Sequence, residues 1–382
     1  MVRSSLRKSV YVRDSFRRYV SWIVPFSRYL FTKVPGVKGK PIVLISSFQH
    51  PYVRNLRQSS QRDLVFMPWR QPALFAPRIS LQEVRIFHLH FIDELGLDLE
   101  GTQEFIERLR STGTAIVWTG HDLIPHDKNY THFEPLFSAW AQAADGVIHH
   151  SRSGEKRLRA SYNFRSDCEH VVIANSYRRE HADHRLRRHR REIEASFGLA
   201  SAPIRVGLIG MPRVERRVVD FLVGVTRSTN QDIQVVCWSL HPSETAPRDE
   251  RIVIAENWHY VDDDVMLRRL AICDLIAIPI APEGEMLTTG LVSDALGMGL
   301  GMLISSWDYL TEIAGDAAIY CGNTANEIAD SLNRLVIDDV VKARQASMRI
   351  RDERHWDHAR VPMLEFYRRV LASGSGGEEL DR

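Results

Sequence analysis

The feature that most constrains this chain is a repeated alternation of short apolar runs with longer amphipathic stretches. The runs are rich in β-branched residues and short, which is typical of buried strands. Six of them lie in the first half of the chain, at 42–45, 64–67, 84–91, 115–118, 146–149 and 171–174. Six more follow in the second half, at 204–209, 233–238, 252–255, 275–280, 302–304 and 317–320.

Strands that alternate with helices pair in parallel and carry helices on both faces of the sheet. The pattern therefore predicts an α/β fold with two Rossmann-like lobes and a cleft between them, the break falling in the polar stretch 177–203. Two lobes also suit 382 residues, because a single core stops growing at about 250–300 residues. We predict the following segments: a basic, aromatic N-terminal segment over 1–40, a first lobe over 41–185, a second lobe over 186–350, a C-terminal helix over 351–372 and a disordered tail over 373–382.

Composition narrows the class of protein. Hydrophobic residues make up 44% of the chain and charged residues 26%, which argues against a disordered or membrane-embedded chain. No apolar run approaches the ~20 residues that a membrane span needs. The four cysteines are widely spaced and form no CxxC pair, so we expect reduced, buried thiols and a cytoplasmic protein.

The formal net charge of +2 is unevenly spread. The first forty residues carry ten lysines and arginines against Asp14 alone, with aromatic residues between them. This segment suits either an anionic membrane surface or a leader that packs on the first lobe. A second basic run, 178–191, is predicted to be a solvated helix. Because the net charge is small and no recognition motif is present, we expect no nucleic-acid partner.

The run 275–280 leads into a loop that suits an anion. Thr288, Thr289 and Gly290 precede a helical stretch over 291–298, so hydroxyls and unpaired backbone N–H groups meet at the positive end of a helix. Glu283 or Glu285 is able to accept hydrogen bonds from sugar or ribose hydroxyls. Alternatively, Thr288 simply caps the helix.

A basic loop follows the run 204–209 of the same half. It begins at Gly210 and places Arg213, Arg216 and Arg217 where the next helix starts. Guanidinium groups match phosphate oxygens and hold a diphosphate without a metal. Since ligands of such sheets bind beyond the carboxyl ends of the strands, the two loops together predict a phosphate site.

In the first half, the run 115–118 leads directly to His121 and Asp122. A histidine at this edge of the sheet faces the cleft, and the aspartate either orients it or binds a hydroxyl. The histidine pairs at 88/90 and 149/150 show no HxxxH or CxxC spacing, so we expect no metal site. The chain also lacks the GxSxG and GxxxxGK[ST] motifs of α/β-hydrolases and P-loop NTPases.

Taken in order, these segments resemble the bacterial GT-B glycosyltransferases of the family-4 type, especially those that build cell-surface polysaccharides or exopolysaccharides. The resemblance extends from about residue 41 to residue 371. FQHPYVRN at 48–55 looks like the family's acceptor-facing loop, which implies acceptor-side roles for His50 and Tyr52. VRIFHLH at 84–90 looks like the next cleft-facing strand, which implies an acceptor-side role for His90 as well. WTGHDLIPH at 118–126 is similar to the family's histidine loop, with His121 in the place of the cleft histidine.

The second lobe continues the resemblance. GMPRVER at 210–216 is similar to the phosphate-gripping loop, with Arg213 and Arg216 at its basic positions. TTGLVSDALGMG at 288–299 resembles the donor-binding loop and helix, and Asp294 stands where members carry a ribose-binding glutamate. Residues 356–369 resemble the helix that returns to the first lobe. Two departures are that Glu285 and Asp294 lie nine residues apart instead of eight, and that Arg216 replaces a lysine.

The resemblance implies a retaining, metal-independent transfer of a hexose from a nucleoside-diphosphate sugar to a glycan or lipid-linked acceptor. The catalytic candidates are His121, Asp122, Glu283 and Glu285; the donor-binding candidates are Arg213, Arg216, Thr288, Thr289, Gly290 and Asp294. No cofactor is expected beyond the nucleotide-sugar co-substrate. The protein is expected at the inner face of the cell membrane or free in the cytoplasm. Because of the two departures, a non-catalytic nucleotide-sugar-binding or scaffold protein of the same fold stays open as the alternative.

Overall fold

The computed structural model describes residues 40–69, 84–125, 130–177, 185–211, 216–259, 261–281 and 286–374. They form two six-stranded sheets in which every strand pairs in parallel with its neighbours. All twelve predicted strands are present, each within two residues of the predicted ends. The predicted α/β architecture with two Rossmann-like lobes is therefore confirmed.

The first sheet has the order β2-β1-β3-β4-β5-β6. Its strands are β1 (Ile42–Ile45), β2 (Val65–Pro68), β3 (Val84–Leu89), β4 (Ala115–Gly120), β5 (Gly146–His149) and β6 (Glu169–Val172). The helices of this lobe are α1 (Pro51–Ser60), α2 (Leu99–Ser111), α3 (Tyr130–Ala143) and α4 (Arg152–Ser161), with a short 3₁₀ helix at Asp93–Leu95.

The second sheet has the order β12-β11-β10-β7-β8-β9, which is the Rossmann order. Its strands are β7 (Ile204–Leu208), β8 (Ile233–Cys237), β9 (Ile252–Ile254), β10 (Leu275–Ile278), β11 (Gly301–Ile304) and β12 (Ala318–Tyr320). Two short helices precede it, α5 (Arg185–Arg188) and α6 (Arg190–Ser196). The helices that follow are α7 (Val218–Arg227), α8 (Asp263–Ala271), α9 (Gly290–Gly297), α10 (Asp308–Ala314), α11 (Ala325–Arg334) and α12 (Ile337–Glu353), with a 3₁₀ helix at Gly315–Ala317.

Each sheet has a point at which its strand order reverses. In the first lobe this point lies between β1 and β3, and in the second it lies between β7 and β10. The loops that leave two such strands run in opposite directions and open a crevice at the carboxyl ends. The loops predicted to bind ligands follow β1, β3, β4, β7 and β10, so the topology places them at these crevices.

The last helix, α13 (Trp356–Gly374), crosses back from the second lobe to the first. Its apolar side, which includes Phe366 and Val370, is buried against Val43, Ile45 and their neighbours in the first sheet. The hydroxyl of Tyr367 lies 2.6 Å from His88 Nδ1 inside that core. This contact confirms the predicted return of the C-terminal helix to the first lobe.

A buried carboxylate fixes the segment that connects the lobes. Asp274 accepts hydrogen bonds of 2.6 and 2.9 Å from Arg190, and Arg187 donates to the Cys273 carbonyl at 2.9 Å. Burial alone would raise the pKa of Asp274, but the bonds and charge of Arg190 outweigh it and hold that pKa below its ordinary value. The prediction of a solvated helix over 178–191 is therefore wrong for these two arginines, since the sequence pattern does not reveal a carboxylate 84 residues away.

None of the helices in the described part of the chain is both long enough and apolar enough to cross a bilayer. The four cysteines are buried and form no disulfide, as predicted. The N-terminal segment 1–39 and residues 375–382 lie outside the described residues.

We expect Phe366→Ala to destabilise the first lobe by about 3–5 kcal/mol, because it leaves a cavity in a fully buried interface. Chemical denaturation followed by tryptophan fluorescence measures the loss. Arg368→Ala, on the exposed side of the same helix, is the matched control and should change the free energy of unfolding by less than about 0.5 kcal/mol. Equal midpoints for the two variants would contradict the packing described.

Candidate functional site

The loops at the carboxyl ends of both sheets enclose one cavity of about 270 Å³. From the first lobe it is lined by four predicted site residues: His50, Tyr52, His121 and Asp122. From the second lobe it is lined by five: Arg216, Thr288, Thr289, Gly290 and Asp294. His90 lies directly behind the wall, in contact with His121. Arg213, Glu283 and Glu285 lie outside the described residues.

Backbone contacts hold the two walls of the cavity together. The Leu287 N–H donates to the His121 carbonyl at 3.2 Å, and Met286 forms an antiparallel bridge with Asp122. The Leu287 side chain is buried within the hydrophobic core of the first lobe. Arg157 of α4 donates to the Met286 carbonyl at 2.9 Å. These contacts place the start of α9 opposite His121.

A second contact between the lobes lies at the start of α4. The carboxylate of Glu312, from α10 in the second lobe, accepts the backbone N–H groups of Arg152 at 2.7 Å and Ser153 at 3.0 Å. Backbone N–H groups at a helix start have no partner within the helix and favour an anion. The second lobe therefore provides the anion that this helix end needs.

The N-terminus of α9 faces the cavity. Thr289 is the N-cap, and its hydroxyl accepts the Leu291 N–H at 3.5 Å. Gly290 is exposed, and a side chain added there would meet open space. The helix therefore begins at the cavity, and the positive end of a helix favours phosphate.

The Thr288 hydroxyl has a different role from the one predicted for a ligand-binding loop. It donates at 2.7 Å to the hydroxyl of Tyr309, which in turn lies 3.4 Å from the Thr289 carbonyl. Tyr309 was not singled out in the sequence, because it lies 21 residues further along the chain. Thr288 and Tyr309 together fix the backbone from which α9 starts.

Arg216 lies at the point where the second sheet reverses its order. Its guanidinium donates to the Ile209 carbonyl at 3.0 Å, and its backbone forms a bridge with Ile280, just after β10. Gly210 has a φ of 106°, and a β-carbon there would collide with this guanidinium. Any other residue at position 210 would displace the arginine, which explains the glycine. The neighbouring Arg217 donates instead to the Asn323 carbonyl, at 2.9 Å.

Buried histidines form the wall of the first lobe. His121 stacks on Phe91 with ring centroids 4.6 Å apart, and its Nε2 lies 3.1 Å from His90 Nδ1. Behind them, His88 Nε2 lies 2.7 Å from the Thr119 hydroxyl, and His150 Nδ1 lies 3.0 Å from the Ile173 carbonyl. Each ring therefore has a fixed position without a charged partner.

Burial keeps these imidazoles neutral. It lowers the pKa of His88 to about 3 and that of His150 to about 4. Burial, reinforced by the neighbouring histidines, lowers the pKa values of His90 and His121 well below the ordinary value. At pH 7 these four imidazoles offer hydrogen bonds but no positive charge, so His121 at the cavity suits the hydroxyl of a sugar better than a phosphate.

The tautomers of His90 and His121 follow from the balance of donors and acceptors. His90 Nε2 is buried without a hydrogen-bond partner. A buried lone pair without a partner costs less than a buried N–H without one, so the proton of His90 is assigned to Nδ1. His90 then donates to His121 Nε2, which leaves the proton of His121 on Nδ1. His121 is thus a neutral N–H donor at the cavity wall.

Several residues of the cavity were missed in the sequence. They include Asn55 and Phe91 from the first lobe, Asn175 and Ser176 after β6, and Ser293 of α9. Ser293 donates to the Asn175 carbonyl at 3.1 Å and so joins α9 to the segment that follows β6. The sequence could have indicated Ser293 as a cavity residue, because it lies three residues after Gly290 and therefore on the same face of the helix.

Comparisons with known proteins give fold relatives only. No protein-family model matches the chain, and a search of curated proteins finds no match either. Among solved structures, sucrose-phosphate synthase from Thermosynechococcus elongatus is similar with a TM-score of 0.62 at 13% identity, over 87% of this chain and 100% of that one. A glycosyltransferase from Rickettsia africae is similar with a TM-score of 0.62 at 14% identity, over 87% of this chain and 99% of the other.

HepE from Anabaena in complex with UDP-glucose is also similar, with a TM-score of 0.62 at 11% identity, over 85% of this chain and 98% of that one. These neighbours share the two parallel sheets and the cleft between them. The chain has the GT-B fold. In GT-B terms, the cavity described above is the interlobe cleft.

The buried histidines predict how the stability of this GT-B protein depends on pH. In the unfolded chain they take up protons near pH 6.5, whereas in the folded chain His88 and His150 do so only near pH 3 to 4. The unfolded state therefore binds more protons, and the free energy of unfolding falls as pH drops below 6.5. Each such histidine contributes up to about 1.4 kcal/mol per pH unit.

Denaturation curves at pH 7, 6 and 5 measure this effect while carboxylates stay ionised. His150→Gln should reduce the slope by about one proton, because Gln still donates to the Ile173 carbonyl but does not titrate. Val361→Ala, at an exposed position without a titrating group, should leave the slope unchanged. A flat profile in the unmodified protein would contradict the burial of neutral imidazoles.

Proposed function

We propose that this chain is a glycosyltransferase that moves a hexose from a nucleoside-diphosphate sugar to a hydroxyl of a lipid-linked or polysaccharide acceptor. The observation that carries the proposal is the pairing of two kinds of wall in one cavity. Arg216 and the start of α9 offer positive charge and N–H groups, and the facing wall offers the neutral His121. A diphosphate fits the first wall and a sugar fits the second.

The donor is proposed to carry uridine. HepE from Anabaena has been solved with UDP and with UDP-glucose, and the trehalose-6-phosphate protein of E. coli with UDP-2-fluoro glucose. These proteins share the fold with this chain at 9 to 11% identity. Their ligands support a UDP-sugar as the first donor to test.

In the proposed reaction the bond between the anomeric carbon and the diphosphate oxygen breaks, and the acceptor hydroxyl forms a new bond to that carbon. The leaving diphosphate takes the electron pair and gains negative charge, which Arg216 and the α9 N-terminus stabilise without a metal. The acceptor proton passes to a diphosphate oxygen or to solvent. Retention of the anomeric configuration is proposed from the family resemblance.

The other residues are given roles by their positions in the cavity. Asp294, one turn into α9, is proposed to bind the ribose, and His121 a sugar hydroxyl through its N–H. Asp122 is proposed to orient the sugar beside it. His50 and Tyr52 line the first-lobe wall and are proposed to face the acceptor. Arg213, Glu283 and Glu285 keep their proposed donor and catalytic roles from the sequence.

Replacing Arg216 tests the proposal most directly. We expect Arg216→Ala to lower the turnover of a UDP-sugar, measured as transfer or donor hydrolysis, by about 10² to 10³-fold, because it removes a charge that stabilises the leaving group. Arg217→Ala is the matched control, since that adjacent arginine bonds to the Asn323 carbonyl and does not line the cavity. Equal turnover in both variants would remove the phosphate role of Arg216.

A donor screen separates the proposal from the scaffold alternative. Thermal shifts with UDP-, GDP- and dTDP-sugars report binding, because a ligand that binds only the folded state raises its stability. Binding without turnover in the unmodified protein would favour a non-catalytic nucleotide-sugar-binding protein.

We also propose that the N-terminal segment attaches the enzyme to the inner face of the cell membrane, where lipid-linked acceptors are found. The support is its ten basic residues with interleaved aromatic rings. Sedimentation with anionic liposomes should pull down the full chain and not a chain lacking residues 1–40. Neutral liposomes are the control, and equal sedimentation of both chains with anionic liposomes would remove the proposal.

A further inference from the structure

A group of three potential metal ligands lies outside the cleft cavity, on the edge of the first sheet. His149 ends β5, His170 lies on the neighbouring edge strand β6, and Glu155 lies in the first turn of α4. One ligand atom from each lies within 4.8 Å of the other two. We propose that these residues form a Zn²⁺ site that ties the edge strand to α4.

The strand register explains how the two histidines meet. His170 pairs with Val147 and His149 with Val172, so the two side chains are diagonal neighbours on the same face of the sheet. Their rings are stacked with an interplanar angle of 11°, and His149 Nε2 lies 2.9 Å from His170 Nδ1. An ion fits between these two nitrogens if they move slightly apart. Two nitrogen ligands that each lie about 2.0–2.1 Å from zinc are only slightly further from each other than these two are.

The chemistry of the group suits zinc. Two imidazoles and one carboxylate are zinc ligands, and a water molecule completes a tetrahedral set of four. Both imidazoles are kept in the neutral form that binds metals: burial lowers the pKa of His149 to about 3 and lowers that of His170 as well. His149 is fully buried, while Glu155 and His170 are half-buried, so the ion has a route from solvent.

Glu155 already has a partner that can remain in place. Arg159, one turn further along α4, donates to a carboxylate oxygen of Glu155 at 3.2 Å. A carboxylate has two oxygens, so one is able to bind zinc while the other keeps the arginine. Such an outer hydrogen bond orients a metal-binding carboxylate.

The histidines of the cleft do not offer the same arrangement. His90 and His121 bond to each other, and His150 uses Nδ1 on the Ile173 carbonyl. Within the described part of the chain, the group on β5, β6 and α4 alone brings three potential ligand atoms together. The site is therefore separate from the cleft cavity, and it is independent of the proposed transfer reaction.

The proposed ion would act on an exposed part of the fold. β6 is the edge strand of the first sheet, and α4 is the helix whose start binds Glu312 of the second lobe. An ion bound by residues of β5, β6 and α4 would hold the edge strand to its neighbours. It would also fix the helix that contacts the other lobe. It raises stability because it binds only the folded arrangement.

Calorimetric titration of metal-free protein with Zn²⁺ tests the proposal. We expect one ion per chain and a rise in the thermal midpoint of about 3 °C or more at saturating zinc. His170→Gln and Glu155→Gln should each weaken the affinity by about ten-fold or more, with unchanged far-UV circular dichroism in metal-free buffer. Bound Co²⁺ should show the intense visible absorption of a tetrahedral site, and should lose it in both variants.

His259→Gln is the matched control, because His259 and Glu256 form an exposed pair 3.6 Å apart with no third ligand among the described residues. This variant should bind zinc as the unmodified protein does. The proposal is overturned if the unmodified protein binds no zinc, or if His170→Gln and Glu155→Gln bind it with unchanged affinity. Donor turnover is measured separately, so loss of the zinc site and failure of the transferase proposal give different results.

Discussion

The arrangement of the cleft depends on one short backbone contact between the lobes. Met286 bridges to Asp122 and Leu287 donates to the His121 carbonyl, while the Leu287 side chain enters the core of the first lobe. The loop that starts α9 is therefore held by a lobe to which it does not belong. The helix start and His121 are fixed relative to each other. Ligand binding therefore does not carry the entropic cost of ordering these two parts of the cavity.

A second feature of the cleft is a group of histidines that are buried as neutral rings. His88, His90, His121 and His150 are almost completely buried, and each is held by neutral hydrogen bonds. These four histidines therefore contribute the direction of hydrogen bonds and not positive charge. The positive charge of Arg216 and the start of α9 belong to the other lobe, so in the proposed function the two lobes divide the recognition of sugar and phosphate between them.

Much of the fold was accessible from the sequence, because strands buried on both faces read as continuous apolar runs. The loops that follow β1, β4, β7 and β10 were also predicted as ligand loops, and their described residues line one cavity. What the sequence did not show were contacts between distant residues. His90 and His121 are 31 residues apart, and Arg190 and Asp274 are 84 apart, so no local pattern reveals either pair.

The same reason explains the metal-ligand group and the role of Thr288. A search for HxxxH spacing looks along one element, whereas His149 and His170 meet across two strands. The alternative prediction that Thr288 caps the helix is wrong, because Thr289 is the N-cap and Thr288 bonds to Tyr309 of a later helix. A site formed by one loop is visible in a sequence. A site formed by two elements becomes visible only when their relative positions in the fold are known.

The carboxylate of Glu312 at the start of α4 has a consequence for the movement of the lobes. If the lobes separate, that carboxylate and two backbone N–H groups must be hydrated individually. Dissolved anions then compete for the exposed helix end, and added salt screens the attraction that draws the lobes together. Any separation of the lobes would thereby depend on ionic strength at a point outside the cavity itself.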